Sequence, residues 1–411
     1  MSVSLFEMGY STFENLFMTK LFTVGTQGIS LSVIETDQFN DWFEMQSSTI
    51  KTWVQAFGFQ GEGICLIPDG RGQLGSVVYG VENRNDYFAC GDLVKLLPEG
   101  QYRLSVVDEA LLMRLAFSWG VGAYQFNRYK QGQRKVDSKT LPTFVLPNEV
   151  LKKNIEREIS GITLVRDLIN TPAQDMMPKH LGEAVETLAS QFGAEVKQLI
   201  GAELLQHNYP TIHAVGRASE HAPRLIDLRW GDEAHPKITL VGKGVCFDSG
   251  GLNIKTTNGI RHMKRDMAGA ANAIGLAQLI MAHQLPVRLR LLIPAVENAI
   301  SNNAFHPGDV ITTRKGISVE INNTDSEGRL VLCDALAEAD RESPDLLIDF
   351  ATLTSACRLA LGTELAGLFS NNNSRAAELI AAGETVDDPL WQLPLYQPYK
   401  AELKSDIADM V

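Results

Sequence analysis

Val241-Gly-Lys-Gly-Val-Cys-Phe-Asp-Ser-Gly-Gly251 decides how this chain is read, because an apolar run there turns into a glycine-rich loop carrying a lysine and an acid. The run reaches back to residue 237, so residues 237–245 read as a buried strand entering that loop. Lys255 and Asp266 follow downstream, and a second polar loop, Asn323-Thr-Asp-Ser-Glu-Gly-Arg329, again combines acids with a cation. The two stretches set Asp248, Asp266, Asp325 and Glu327 beside Lys243, Lys255 and Arg329 in otherwise apolar surroundings. Four clustered carboxylates do not stay ionised in a low-dielectric cleft unless positive charge neutralises them. Two divalent metal ions would balance the four acids and leave the lysines and the arginine for chemistry.

Outward from these loops, strands and helices alternate. Residues 266–282 read as a helix with Ala270, Ile274, Ala277 and Met281 on one stripe, and residues 287–296 as a strand ending at Glu297-Asn298. Residues 310–313 and 317–321 flank Arg314-Lys315-Gly316 as a hairpin, residues 328–341 are helical, and residues 346–350 form a strand running into Ala351-Thr-Leu-Thr354. Upstream, helical periodicity covers residues 149–170 and 180–192, the latter with Leu181, Val185, Leu188 and Ala189 on one face. Such alternation predicts a mixed or parallel sheet covered by helices, with ligands bound past the carboxyl ends of the strands. Lys243, Asp248, Asn298 and Thr352 all fall at or just beyond such ends.

The first part of the chain is strand-rich. Residues 21–24, 29–34, 63–67 and 75–79 are β-favouring runs, and residues 108–116 carry Leu111, Leu112 and Leu115 at helical spacing. The expected class is α/β: a small N-terminal α/β domain over residues 18–140 and a larger C-terminal α/β catalytic domain over residues 141–411, whose mixed central sheet is flanked by helices. Residues 124–147 are polar, locally basic and end in two prolines, the usual signature of a linker. Residues 1–17 stand apart as a poorly ordered extension or as sequence upstream of the true start.

Composition narrows the classes of function. The chain has 411 residues, 45% hydrophobic and 21% charged, the profile of an ordinary globular protein with room for two or three domains. A formal charge of −12 argues against a general nucleic-acid binder, whose footprint is basic. The five cysteines are scattered without a CxxC pair, which fits a thiol-reducing compartment. No basic, apolar leader opens the chain, and the apolar stretch 346–361 is interrupted by Asp349 and Arg358 and too short to span a membrane. A cytoplasmic location is expected.

Each acid also has a plainer reading. In an extended loop Asp325, Glu327 and Arg329 would face one cavity, but an acidic turn at a helix start is equally familiar. Asp266 alone could be an N-terminal helix acid, and either lysine an ordinary surface residue. A phosphate loop at Gly242-Lys-Gly244 is disfavoured, since GxxxxGK[ST] and GxGxxG are absent and nearby acids would repel phosphate. The eight histidines make no HExxH, and Cys246 has no base beside it to make it a nucleophile.

The segments VGKGVCFDSGGLNIK, MKRDMAGAA, NNTDSEGRLVLCDAL and DFATLT together resemble the signature of the leucyl aminopeptidase (cytosol aminopeptidase) family of dinuclear metallopeptidases. The resemblance runs from about Leu164 to the C-terminus and more loosely back into the N-terminal part. By matching position it implies that Lys243, Asp248, Asp266, Asp325 and Glu327 ligate two divalent ions such as Zn²⁺ or Mn²⁺, and that Lys255 and Arg329 are the catalytic pair. A lysine ligand must be neutral, which a neighbouring metal can enforce. Two ions bridged by carboxylates lower the pKa of a shared water that attacks the first peptide bond. Lys255 would stabilise the oxyanion, and the planar fork of Arg329 suits a small oxyanion, in the family a bicarbonate acting as proton shuttle.

The resemblance also implies a peptide substrate with a free N-terminus, a homohexamer, and a first-residue pocket lined by Met263, Asn323, Thr352 and Ser355. Two positions depart from the family pattern: Ser326 replaces alanine and Ser355 replaces glycine, so the preferred first residue need not be leucine. Family chains continue past residues 405–409 with a further helix and strand, so the catalytic domain reads as short at its C-terminal end. The alternatives are a non-catalytic structural or regulatory hexamer of the same fold, including a nucleic-acid-binding one, and another hydrolase using the same metal pair on special dipeptides.

Overall fold

The computed structural model describes residues 21–105, 108–130 and 141–411; the expected extension 1–17 and the basic residues Arg134, Lys135 and Lys139 lie outside these. Two compact units meet at Thr163/Leu164, inside the helix Glu149–Asn170.

The first unit holds a six-stranded sheet of β1 (Phe22–Val24), β2 (Ile29–Glu35), β3 (Gly63–Pro68), β4 (Leu74–Val81), β5 (Gln101–Leu104) and β6 (Thr143–Leu146), in the order β1-β6-β5-β2-β4-β3. Its pairs are parallel except β3 with β4. Successive side chains of a strand face opposite ways, and the sheet uses both faces. Val33 and Val77 join the cluster under the helix Glu109–Ala123, while Ile34 and Val78 join the one containing Val54 of the helix Ser48–Phe57. Asp108 caps the former helix, its carboxylate accepting from the Ala110 and Leu111 amides. Residues 143–146, expected within a linker, instead form β6, with Phe144 and Leu146 fully buried and the Phe144 ring tilted against Trp119, centroids 5.2 Å apart.

The second unit contains β7 (Glu195–Ile200), β8 (Arg224–Trp230), β9 (Lys237–Gly242), β10 (Gly244–Asp248), β11 (Arg288–Asn298), the hairpin β12 (Val310–Thr312) and β13 (Ser318–Glu320), β14 (Leu346–Phe350), and the parallel pair β15 (Ala366–Leu368) and β16 (Leu390–Gln392). The central sheet runs β14-β9-β11-β8-β7, with β10 also on β11. It is mixed: β14, β9, β10 and β11 are mutually parallel where they pair, and β8 and β7 are antiparallel to their neighbours. Leu291 and Ile293 of β11 enter one apolar layer with the helices Pro178–Phe192 and Ala268–Ala282, and Leu292 and Val296 enter the other with the helix Glu327–Asp340. The expected stripe Ala270, Ile274, Ala277 and Met281 is buried throughout.

One expected strand is two. Residues 237–245 break at Lys243, so β9 and β10 lie end to end along one side of β11, with Val241 opposite Leu292 and Gly244 opposite Ala295. At the break the Lys243 amide donates to the Phe350 carbonyl (2.9 Å), and the Lys243 carbonyl accepts from the Ala270 amide (2.9 Å). The backbone polar groups released from the ladder are thereby satisfied. All five cysteines are free thiols. No helix among the described residues is long and apolar enough to cross a membrane.

Candidate metal centre

The carboxyl ends of β9, β11 and β14, with the loop after β10, supply the rim on which the acids gather. Lys243 sits at the strand break, Asp248 ends β10, and Asp266 lies in the 3₁₀ turn Met263–Met267 ahead of the helix Ala268–Ala282. Asp325 lies in the 3₁₀ turn Thr324–Ser326 and Glu327 opens the helix Glu327–Asp340. The extended conformation expected for Asp325–Arg329 is therefore replaced by a turn and a helix start. Asn323 explains why: its side-chain oxygen accepts from the Asp325 amide (2.8 Å) and caps the turn. Both acids still reach the same point. Carboxylate oxygens of Asp248, Asp325 and Glu327 lie within 4.8 Å of one another.

Two ammonium groups stand among the acids. Lys243 Nζ is 2.8 Å from Asp266 and 2.9 Å from Glu327, and it donates to the Thr352 carbonyl (2.9 Å). Lys255 Nζ is 2.8 Å from Asp248 and 2.5 Å from Asp325. Lys243, Asp248 and Glu327 are no more than 2% exposed and Asp266 is 5% exposed. A Cβ on Gly328 would lie 2.6 Å from Lys243 Cε, so the lysine reaches Glu327 only because that position carries no side chain. Gly250 turns the loop after β10 with φ +89°, and a Cβ there would meet the Asn253 carbonyl at 2.4 Å.

Burial dominates the electrostatics. It pushes the carboxyl of Glu327 up to about 8 despite the neighbouring Lys243, and it raises those of Asp266 and Asp325. Burial pulls Lys243 down, but the attraction of Glu327 and Asp266 outweighs it and the net shift is upward. For Lys255 burial is likewise outweighed, by hydrogen bonds to Asp248 and Asp325, and the net shift is again upward. Two ammoniums cannot neutralise four carboxylates, so without a further cation the acids resist full ionisation, and Glu327 Oε2 is buried with no hydrogen-bond partner among the described residues. A set of carboxylate oxygens with one amine suits a hard or borderline divalent cation such as Mn²⁺ or Zn²⁺. The residues fit the group.

The remaining expected residues divide. The Thr352 hydroxyl donates to Asp266 Oδ1 (2.8 Å), so Thr352 orients an acid through its side chain as well as receiving Lys243 on its carbonyl. Met263 is partly buried at the start of its turn, and Ser355 is exposed ahead of the helix Ala356–Leu361. Arg329 is exposed, and its guanidinium makes no ion pair with the four acids among the described residues. Asn298 received no role from its sequence position. It is fully buried, and its Nδ2 donates to Asp248 Oδ1 (2.8 Å). Its place at the carboxyl end of the eleven-residue strand β11, where ligands of such sheets bind, is the available signal.

Residues 163–411 match the profile of the cytosol aminopeptidase family, catalytic domain, and residues 29–142 that of the M17 aminopeptidase N-terminal domain. A probable cytosol aminopeptidase of Xanthomonas campestris pv. campestris is 44% identical over 285 residues, 68% of this chain and 57% of the relative. The match thus spans little more than half the length of that curated relative. The crystal structure of a cytosol aminopeptidase from Coxiella burnetii superposes with TM-score 0.90 at 48% identity, covering 95% of this chain and 85% of the other. The bottromycin maturation enzyme BotP in complex with Mn superposes with TM-score 0.81 at 28% identity, covering 93% and 85%.

Proposed function

This chain belongs to the cytosol aminopeptidase family, and from that premise we propose that it is a metal-dependent aminopeptidase that removes N-terminal residues from peptides. The observation that carries the reading is the convergence of four carboxyl groups and two lysines on one largely buried rim, more acid than the two lysines can neutralise. In this reading Lys243, Asp248, Asp266, Asp325 and Glu327 hold two divalent cations. When bound, these supply Lewis acidity toward the scissile carbonyl and an activated water at neutral pH.

The chain's own groups do the rest. Lys255, its side chain 17% exposed, is the ammonium with access from outside, and it donates to the oxyanion that develops on the first carbonyl. Thr352 holds Asp266 so that one of its oxygens is committed and the other faces Lys243. The exposed Arg329 would hold a bicarbonate in its planar fork, and that ion would supply a proton shuttle for the leaving amine. Met263, Asn323, Thr352 and Ser355 line the first-residue pocket, where Ser355 adds a hydroxyl. A homohexamer in the cytoplasm completes the proposal.

The test is hydrolysis of a leucyl p-nitroanilide and of a leucyl peptide by the unmodified chain, with Mn²⁺ or Zn²⁺ and after treatment with a chelator. Turnover that requires the ion and a free α-amine supports the reading. Turnover equal with and without chelator, or equal on N-acetylated peptide, sinks it.

A further inference from the structure

The acid cluster rests on a neutral group that the proposed chemistry leaves idle. Asn298 ends β11 with no exposed surface. Its Nδ2 donates both protons, to Asp248 Oδ1 (2.8 Å) and to the Thr324 carbonyl (3.1 Å). Both partners are acceptors, so the amide nitrogen and not its oxygen must face them. The main-chain carbonyl of Asn298 accepts from the Ser249 hydroxyl (2.6 Å) and the Ser249 amide (3.2 Å). A Cβ on Gly251 would come within 3.0 Å of Asn298 Oδ1, so the loop after β10 closes over the asparagine.

Thr324 ties the second loop to the same point. It is fully buried, its hydroxyl donates to the Gly250 carbonyl (2.7 Å), and its amide donates to Asn253 Oδ1 (2.9 Å). One side chain thus touches the acid of the first loop and the backbone of the second, immediately before Asp325. Asp248 Oδ1 is held by Asn298 and by the Gly250 amide (2.9 Å), which leaves Oδ2 aimed at Lys255. Uncharged donors accomplish this without adding to or cancelling the negative charge of the cluster.

We propose that Asn298 is a positioning residue for the metal centre: it fixes which oxygen of Asp248 faces the cluster and sets the spacing between Asp248 and Asp325. This inference rests on the metal-binding reading above. Hydrogen-bonded supports to metal ligands typically change affinity by roughly ten- to a hundredfold when removed. Alanine removes both donors, and leucine removes them while keeping a similar volume.

The experiment uses the full chain, stripped with chelator and dialysed. Mn²⁺ is titrated calorimetrically and by the electron paramagnetic resonance of free and bound ion, well below the unfolding temperature. Asn298→Ala and Asn298→Leu are compared with the unmodified chain and with Arg290→Leu, a destabilised control whose site is not among the acids of the cluster. The expected result is Mn²⁺ affinity lower by roughly tenfold or more in both Asn298 variants, an altered bound-ion spectrum, and unchanged affinity in the control. Affinity within twofold of the unmodified chain overturns the inference alone. Loss of the cooperative unfolding transition in both Asn298 variants also overturns it, because Asn298 would then be a folding residue. Absence of Mn²⁺ uptake by the unmodified chain overturns the metal reading and this inference together.

Discussion

At the scale of single residues, the site contrasts a lysine that is locked with one that is accessible. Lys243 is 2% exposed and spans Asp266 and Glu327, whereas the Lys255 side chain is 17% exposed between Asp248 and Asp325. Replacing Lys255 by alanine is expected to leave Mn²⁺ uptake intact and to lower kcat by about 10²–10³, the usual effect of removing one oxyanion donor. An unchanged kcat in a folded Lys255→Ala protein would take this lysine out of the chemistry. Gly328→Ala introduces a methyl group 2.6 Å from Lys243 Cε, and overpacking of this kind costs about 1–3 kcal/mol. Urea denaturation should register that cost, with weaker Mn²⁺ binding because Lys243 is displaced. A variant as stable and as avid as the parent would mean that Lys243 does not need this route.

At the scale of elements, β11 carries a second charged network. Arg290 is 5% exposed; its Nε and Nη2 donate to Asp227 (3.1 and 2.7 Å) and its Nη2 to Glu338 (3.0 Å), while Nη1 lies 3.2 Å from Glu342. Burial works against ionisation of Glu338 and Glu342, but hydrogen bonds from Arg290 and Arg314 to the first and from Arg229 to the second hold both carboxyls below their ordinary value. A carboxyl lowered by folding contributes stability above its unfolded pKa of about 4.3, and that contribution is lost as pH falls through the folded value. Arg290→Leu strands buried acids and is expected to cost about 3–5 kcal/mol near pH 7. Its stability should also fall less steeply below about pH 4.3 than that of the parent. Denaturation curves at pH 7 and pH 3.5 check both, and a pH 7 loss under about 1 kcal/mol would contradict the pairing.

The same charges limited what the sequence disclosed. The helices Pro178–Phe192 and Ala268–Ala282 are legible because their apolar spacing reports burial directly, whereas the partly exposed β12, β13 and β14 are legible as short β-favouring runs beside turn residues. β7 and β8 gave no clear signal, since Arg224, Asp227 and Arg229 interrupt β8 and find their partners far along the chain. The short β6 between Pro142 and Pro147 looks like linker in the sequence because the burial of Phe144 depends on residues remote in sequence, such as Trp119. The acids and lysines of the site were visible as types and spacings. The 3₁₀ turn at Asp325 and the reach of Asn298 were not, because both depend on side-chain contacts made only after folding.

At the scale of the whole molecule, binding of a cation only to the folded state must raise its stability. Mn²⁺ at about a hundred times its Kd should add about 2.7 kcal/mol to the free energy of unfolding of the second unit, reversed by chelator. Thermal unfolding at several Mn²⁺ concentrations measures this, and a midpoint indifferent to Mn²⁺ would separate the acid cluster from metal binding. The placement of β9 and β10 end to end along β11 carries one more consequence. Because a strand's side chains alternate, a slip of β11 by one residue would turn Asn298 away from Asp248 and shift both loops at once. Ion capture during refolding should therefore lag the first collapse and appear only when the central strand has settled against its neighbours, making the bound cation a clock for correct alignment of the sheet.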